Sequence, residues 1–231
     1  MGLFRFCRLA LGSFSILIGR FPVFLRLSWV CMAVSLISAG VSERHAVAAG
    51  IVDLLARGVF VVAWLRLVAL DENPPGPAFF RLGRRELLAA FGWMMAEMFV
   101  VMPAQVVAAS IAMATGTSLQ DAIMLTLGLS HLLLGVVFLL PAEAALEKVT
   151  GTISWRLPDL VIRGGLAVSI AVFLAWLPIN LLMDGVRALP DQPVLQTVAL
   201  TLARYLGLAL TAGTVALIWN ALGAEGEGGG G

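Results

Sequence analysis

The chain has 231 residues, of which 60% are hydrophobic and 13% charged, against roughly 25% charged in an ordinary soluble domain. A mean hydropathy of +0.98 and several apolar runs of about 20 residues, enough for a helix to cross a bilayer, exclude a soluble enzyme and define an all-α integral membrane protein. Fifteen basic and fourteen acidic residues leave a formal charge of +1, which gives no reason to expect nucleic acid as a partner.

In the first segment, residues 1–20, Phe4, Cys7, Leu11, Phe14 and Ile18 recur at spacings of three and four, with Arg5, Arg8, Gly12, Ser15 and Gly19 on the other side. This pattern predicts an amphipathic helix, either flat in the membrane interface or packed on the protein's own cytoplasmic side. No short apolar stretch ends in a small-residue cleavage site before Arg20 and Pro22, so a cleaved signal peptide is not expected. Six transmembrane helices are then predicted within residues 21–222, at about 22–40, 44–69, 87–114, 119–146, 163–183 and 193–220. The joints between spans 1 and 2 and between 3 and 4 are short enough for antiparallel hairpins. The joint after span 2 holds Asp71, Glu72, Asn73, Pro74, Pro75, Gly76 and Pro77, where prolines and a glycine forbid a continuous helix. Another polar joint runs from Glu147 to Asp159. The Gly- and Glu-rich tail, 223–231, has almost nothing apolar to bury and is expected to be disordered.

Arginine placement gives the orientation. Arg5, Arg8, Arg20, Arg26, Arg66, Arg81, Arg84, Arg85, Lys148, Arg156 and Arg163 fall on the side of the N-terminus, and only Arg44 and Arg187 on the other. Positive charge favours the cytoplasm, so both termini are expected there. A basic set of fourteen arginines and one lysine, with abundant Ala and Gly, fits a GC-rich bacterial genome and hence the bacterial inner membrane.

The two cytoplasmic joints share a layout, an acidic helix end followed by a basic re-entry: Asp71 and Glu72 before Phe80–Leu87, and Glu143 and Glu147 before Ser154, Trp155, Arg156 and Arg163. Such a likeness marks either a duplicated three-helix unit or the common grammar of cytoplasmic loops. The segment 3–20, the stretch Leu140–Ala142 closing span 4, and Ser154 and Trp155 with Arg163 and Gly164 at the entry to span 5 resemble a broad set of bacterial six-helix membrane proteins. That set is related to the membrane domain of glycerophosphoryl diester phosphodiesterases. The resemblance implies a six-helix fold and carries no catalytic residue over, because that family's activity belongs to a separate soluble barrel domain.

Five ionisable residues fall inside the predicted spans: Asp53, Arg57, Glu97, His131 and Arg204. At about 1.5 Å per helical residue they share one depth, some 15 Å from the nearer span ends. Each is costly in hydrocarbon, about 2.5–3.5 kcal/mol for a central Asp or Arg, and so needs a partner. Asp53 and Arg57, at i and i+4, can pair on one helix. Glu97 and Arg204 remain as complements from different helices, with His131, Tyr205 and Gln105 to complete the bonding. Such a cluster either fixes helix register or lines a path or pocket for an anionic solute. Small residues recur every four positions at Ala104, Ala108, Ala112 and Gly116, and at Ala203, Gly207 and Thr211. These ridges allow close helix approach and would draw Glu97 and Arg204 together if they met. Pro103 and Pro141 are expected to kink their helices.

Arg81, Arg84 and Arg85, beside Phe79 and Phe80, suit anionic lipid headgroups. Catalytic chemistry is not in sight. Gly128–His131 resembles the Gly-x-Ser-Gly nucleophile of rhomboid proteases, but His131 replaces the second glycine and span 6 has no histidine. Cys7 and Cys31 form no metal-binding motif, and no cofactor is expected. The sequence therefore favours a non-enzymatic scaffold, assembly factor or accessory subunit, with the bilayer and other membrane proteins as partners. The alternative is a small carrier or channel for a lipid-like or anionic solute.

Overall fold

Long apolar stretches with few breakers make helices, and the breakers decide where the helices stop. The computed structural model describes residues 3–146, 156–187 and 193–227, without the side chains of 3, 43, 156–164 and 223–227. Glu147, Lys148, Ser154 and Trp155 lie outside the described residues, as do the side chains of residues 156–164, Arg156 and Arg163 among them. The elements are α1 (Leu3–Gly19), α2 (Phe21–Leu70), α3 (Arg84–Thr115), α4 (Leu119–Leu134), a 3-10 segment (Gly135–Phe138), α5 (Leu139–Leu146), α6 (Arg156–Arg187) and α7 (Pro193–Glu227). Every regular element among the described residues is helical. Six stretches are long and apolar enough to cross a membrane: Phe21–Ser42, Arg44–Leu70, Arg84–Thr115, Leu119–Leu146, Gly165–Arg187 and Pro193–Leu222. They match the predicted spans to within a few residues.

The spans pair as three antiparallel hairpins. In α2 the turn is so tight that only His45, at φ −139° and ψ 52°, leaves helical geometry. The two arms nevertheless fold back on each other, since Phe24 meets Phe60 and Trp64 edge-on at 5.8 and 5.9 Å. Between α3 and α4 the local chemistry is explicit. Gly116 takes the left-handed φ of 71° that ends α3, and the Ser118 hydroxyl accepts from the Asp121 amide at 3.2 Å to start α4. Gly116 is thus a helix terminator and does not extend the small-residue ridge. In the third hairpin Gln196 of α7 donates to the Arg187 carbonyl of α6 at 3.1 Å.

The fourth span is broken where Pro141 requires it. Proline has no amide hydrogen and its ring clashes with the carbonyl four residues earlier, here Val137, and the chain tightens into the 3-10 segment over Gly135–Phe138. Ser169 of α6 fills the break, its hydroxyl accepting from the Val136 amide at 3.0 Å. Gly135 permits this approach, since a Cβ there would lie 3.0 Å from the Ser169 Cα.

Large apolar side chains are buried toward the basic end of the bundle, among them Phe24, Phe60, Trp64, Leu65, Leu139, Leu210 and Ile218. Toward the turn end the buried residues are small, such as Ser38, Ala49, Ala104, Ala108 and Ala122, while Ile37, Val47, Ile51, Met102, Val106 and Val194 are exposed. The hairpins are therefore knit together at one end and present broad apolar faces at the other.

One expectation is narrowed and another changes. Helix α1 packs on α6 and α7 through Phe6, Ala10, Ser13 and Leu17, while Phe4, Leu11 and Ile18 of the anticipated apolar stripe face outward. The large Phe6 and Leu17 are buried on either side of a close approach made by Ala10 and Ser13: the Thr214 hydroxyl donates to Ser13 Oγ at 3.0 Å, and a Cβ at Gly213 would sit 3.3 Å from Ser13. Helix α7 also continues to Glu227, five residues into the tail expected to be disordered. Adding residues to an existing helix requires no new nucleus.

Candidate functional site

Four of the five ionisable residues of the spans form one chain of charges. Arg57 stands at its centre on the second arm of α2, with Nε 3.1 Å from Asp53 Oδ2 one turn away. Its Nη1 donates to Glu97 of α3 at 3.2 and 3.3 Å. Glu97 also accepts from Trp93 Nε1 at 2.8 Å. On the other side, Arg204 of α7 comes within 3.6 Å of Asp53 Oδ2. The order Arg204, Asp53, Arg57, Glu97 alternates in sign and is neutral.

Glu97 and Arg204 are not direct partners, which corrects the sequence-based pairing. Helix α3 packs on α2, α4 and α5, whereas α7 packs on α1, α2, α5 and α6, so α2 stands between the two. The ridges on α3 and α7 do not meet for the same reason. On α7, Gly207 faces α6, where a Cβ would lie 2.8 Å from the Ile179 side chain. The glycine that sets the α2–α3 contact is Gly58, where a Cβ would come within 2.3 Å of the Ala90 Cβ. An isolated glycine four residues from no other small residue gave no periodic signal.

His131 does not join the chain. Its ring stacks on Trp176 at 4.4 Å and on Phe138 at 6.1 Å, with Nδ1 2.9 Å from the Leu127 carbonyl one turn back. Tyr205 is adjacent to the charges in sequence but bonds Ser35 of the first arm of α2 at 2.9 Å. Gln105 is exposed farther along α3.

Burial varies sharply along the chain. The side chains of Asp53 and Arg57 are each 16% exposed, Glu97 is 36% exposed and Arg204 is 55% exposed. Within the buried pair, Asp53 Oδ1 and Arg57 Nε have no hydrogen-bond partner. Around Arg204 the outer part of α7 is open: Val194, Leu195, Val198 and Leu202 are exposed, as is Thr197, with Thr201 half-buried. From Tyr205 inward α7 becomes core.

A second group of arginines occupies the basic end. The segment after α2 is fastened across the ends of the first hairpin. Arg20 pairs with Asp71 at 2.7 Å, Arg26 bonds Asn73, and Trp29 Nε1 donates to the Pro77 carbonyl at 3.1 Å. Arg66 pairs with Glu72 at 2.7 Å through Nε and donates to the Ala145 carbonyl at the end of α5 at 3.0 Å. Between this strap and the start of α3 lies a cavity of about 680 Å³, whose lining includes Arg66, Arg81, Arg84 and Arg85. Among the described residues no group of three or more His, Cys, Asp or Glu is placed to hold a metal ion.

The fold and the buried charges define a class, an all-helical multi-pass membrane protein with a charged chain at mid-span. No protein-family model matches the chain, and no curated protein or solved structure is significantly similar to it.

Proposed function

We propose that the protein is a non-enzymatic scaffold, assembly factor or accessory subunit of a larger complex in the bacterial inner membrane, with its basic end in the cytoplasm. One observation carries this reading: Arg204 is 55% exposed at mid-span, with Asp53, itself shared with Arg57, as its counter-charge. A guanidinium turned toward hydrocarbon costs about 2.5–3.5 kcal/mol or more. A partner transmembrane helix with a carboxylate or amide at that depth would cover it and seat its apolar flanks on Val198 and Leu202. The remaining charges support a structural role, because each already has an opposite neighbour. In mild detergent the wild-type protein should run as a defined assembly well above its own 24.4 kDa. Arg204→Leu should release it as a folded, smaller species, whereas an unchanged assembly in that variant contradicts the reading.

The carrier or channel reading has its own support. Thr197, Thr201 and Arg204 lie on one stripe of α7 that descends toward Asp53, a polar lining suited to water. If Thr201→Cys in intact cells reacts with a membrane-impermeant maleimide, this second reading replaces the first.

A further inference from the structure

The basic-end cavity differs from a merely Arg-rich loop in how its charges are used. Arg20, Arg26 and Arg66 are each committed to Asp71, Asn73 or Glu72. Arg81, Arg84 and Arg85 have no ion pair among the described residues. Arg81 and Arg84 are exposed, and Arg85 Nε is buried without a hydrogen-bond partner. Four arginines and only two acids, Glu72 and Glu86, line the cavity. Glu72 is already paired with Arg66, and Glu86 is buried with a carboxylate oxygen folded back to 2.8 Å from where a Gly83 Cβ would stand.

The rest of the wall is Gly83, Asn73, whose side chain is taken by Arg26, and the apolar Val62, Ala63, Pro74, Pro75 and Phe79. Val62 and Ala63 are two turns inside the end of α2, about 10–12 Å deep at 1.5 Å per residue. The cavity thus runs from a cationic mouth to an apolar floor below the headgroup zone. It is large enough for a compact headgroup and its glycerol, and the strap is held in place by three bonds from the first arm of α2 and the residue before it. Arginine forks suit phosphate oxygens, which accept paired N–H donors, and basic pockets at the cytoplasmic face hold anionic lipid heads.

We propose that the cavity between the end of α2, the 71–83 strap and the start of α3 binds a phosphate group, held by Arg81, Arg84 and Arg85, with any apolar remainder against Val62, Ala63 and Phe79. The phosphate belongs either to an anionic phospholipid or to a soluble phosphate compound. The proposal is independent of whether a partner covers Arg204.

Two arms of one experiment separate the sources. The purified full chain is exchanged into nanodiscs of phosphatidylcholine with and without phosphatidylglycerol, and retained lipid is counted by native mass spectrometry. In parallel, inorganic phosphate is titrated in detergent and thermal protection recorded. Wild type should retain one phosphatidylglycerol, and the variant Arg81→Gln, Arg84→Gln, Arg85→Gln should retain it on the order of a hundredfold less well, at roughly fivefold per arginine. Protection by millimolar phosphate without retained lipid supports the same site with a soluble ligand. Should the triple variant fail to fold, Arg81→Gln and Arg84→Gln singly carry the test, each with about a fivefold loss. Arg44→Gln at the turn end is the control. Equal behaviour of wild type and variants in both arms, or an equal loss in Arg44→Gln, overturns the proposal.

Discussion

Arginines stand in two opposite settings in this molecule. At mid-span Arg57 sits between Asp53 and Glu97 and is 16% exposed, so its charge is cancelled within the fold. At the basic end Arg81 and Arg84 stand exposed with no ion pair among the described residues, beside three arginines that are paired or hydrogen-bonded. The contrast follows from the surroundings. A charge deep in the membrane persists only if it is neutralised locally, whereas one at the lipid–water boundary is solvated and remains available to a ligand. Pairing therefore accords with a framework role for the mid-span charges, and lack of pairing with the phosphate site proposed at the basic end. Arg204 is the exception at mid-span, because it has the framework's depth and the surface's exposure.

The contrast is broken most severely by removing the central acid. Asp53→Leu leaves Arg57 with Glu97 alone and Arg204 without an ion pair among the described residues, and losing one member of a buried pair costs about 3–5 kcal/mol. A large fall in the unfolding midpoint in detergent is the expected outcome. Gly58→Val should follow at about 1–3 kcal/mol, the range for overpacking, because the first added carbon already meets Ala90 at 2.3 Å. It should loosen the Arg57–Glu97 contact as well, read as a matching drop in the same melt.

A double-mutant cycle sharpens the order of the chain. Arg57→Gln with Glu97→Gln should show a coupling of about 0.5–3 kcal/mol, and Glu97→Gln with Arg204→Gln, joined only through Asp53 and Arg57, a distinctly smaller one. Strong coupling in the second cycle would mean that α3 and α7 face each other directly. Smallest of all, Arg84→Gln should change stability by no more than about 0.5 kcal/mol, as at other surface sites. Its effect belongs in phosphate or lipid retention.

The spans were readable because apolar length survives any rearrangement of neighbours. So was the Asp53–Arg57 pair, whose spacing lies within one helix. The identity of Glu97's partner was not, since it depends on the order of helices around α2, and the ridge residues Ala104 and Ala203 carry no record of which helix they face. His131 illustrates the same limit. The side of α4 it occupies is set by the approach of α6 at Gly135 and Ser169. On α1 the spacing of Phe4, Leu11 and Ile18 was visible, yet the buried face is Phe6, Ala10, Ser13 and Leu17, because a close approach to α7 at Ser13 set the rotation of the helix.

The partner proposed above would cover the outer flank of α7 at the depth of Arg204. That cover is tested most directly by a photocrosslinking amino acid placed at Leu202 in cells, with Met113 of α3, 82% exposed, as the comparison site. Position 202 should form one discrete adduct with a membrane protein, Arg204→Leu should abolish it, and position 113 should not form it. Adducts only with lipid from position 202, or the same adduct from both positions, would contradict it.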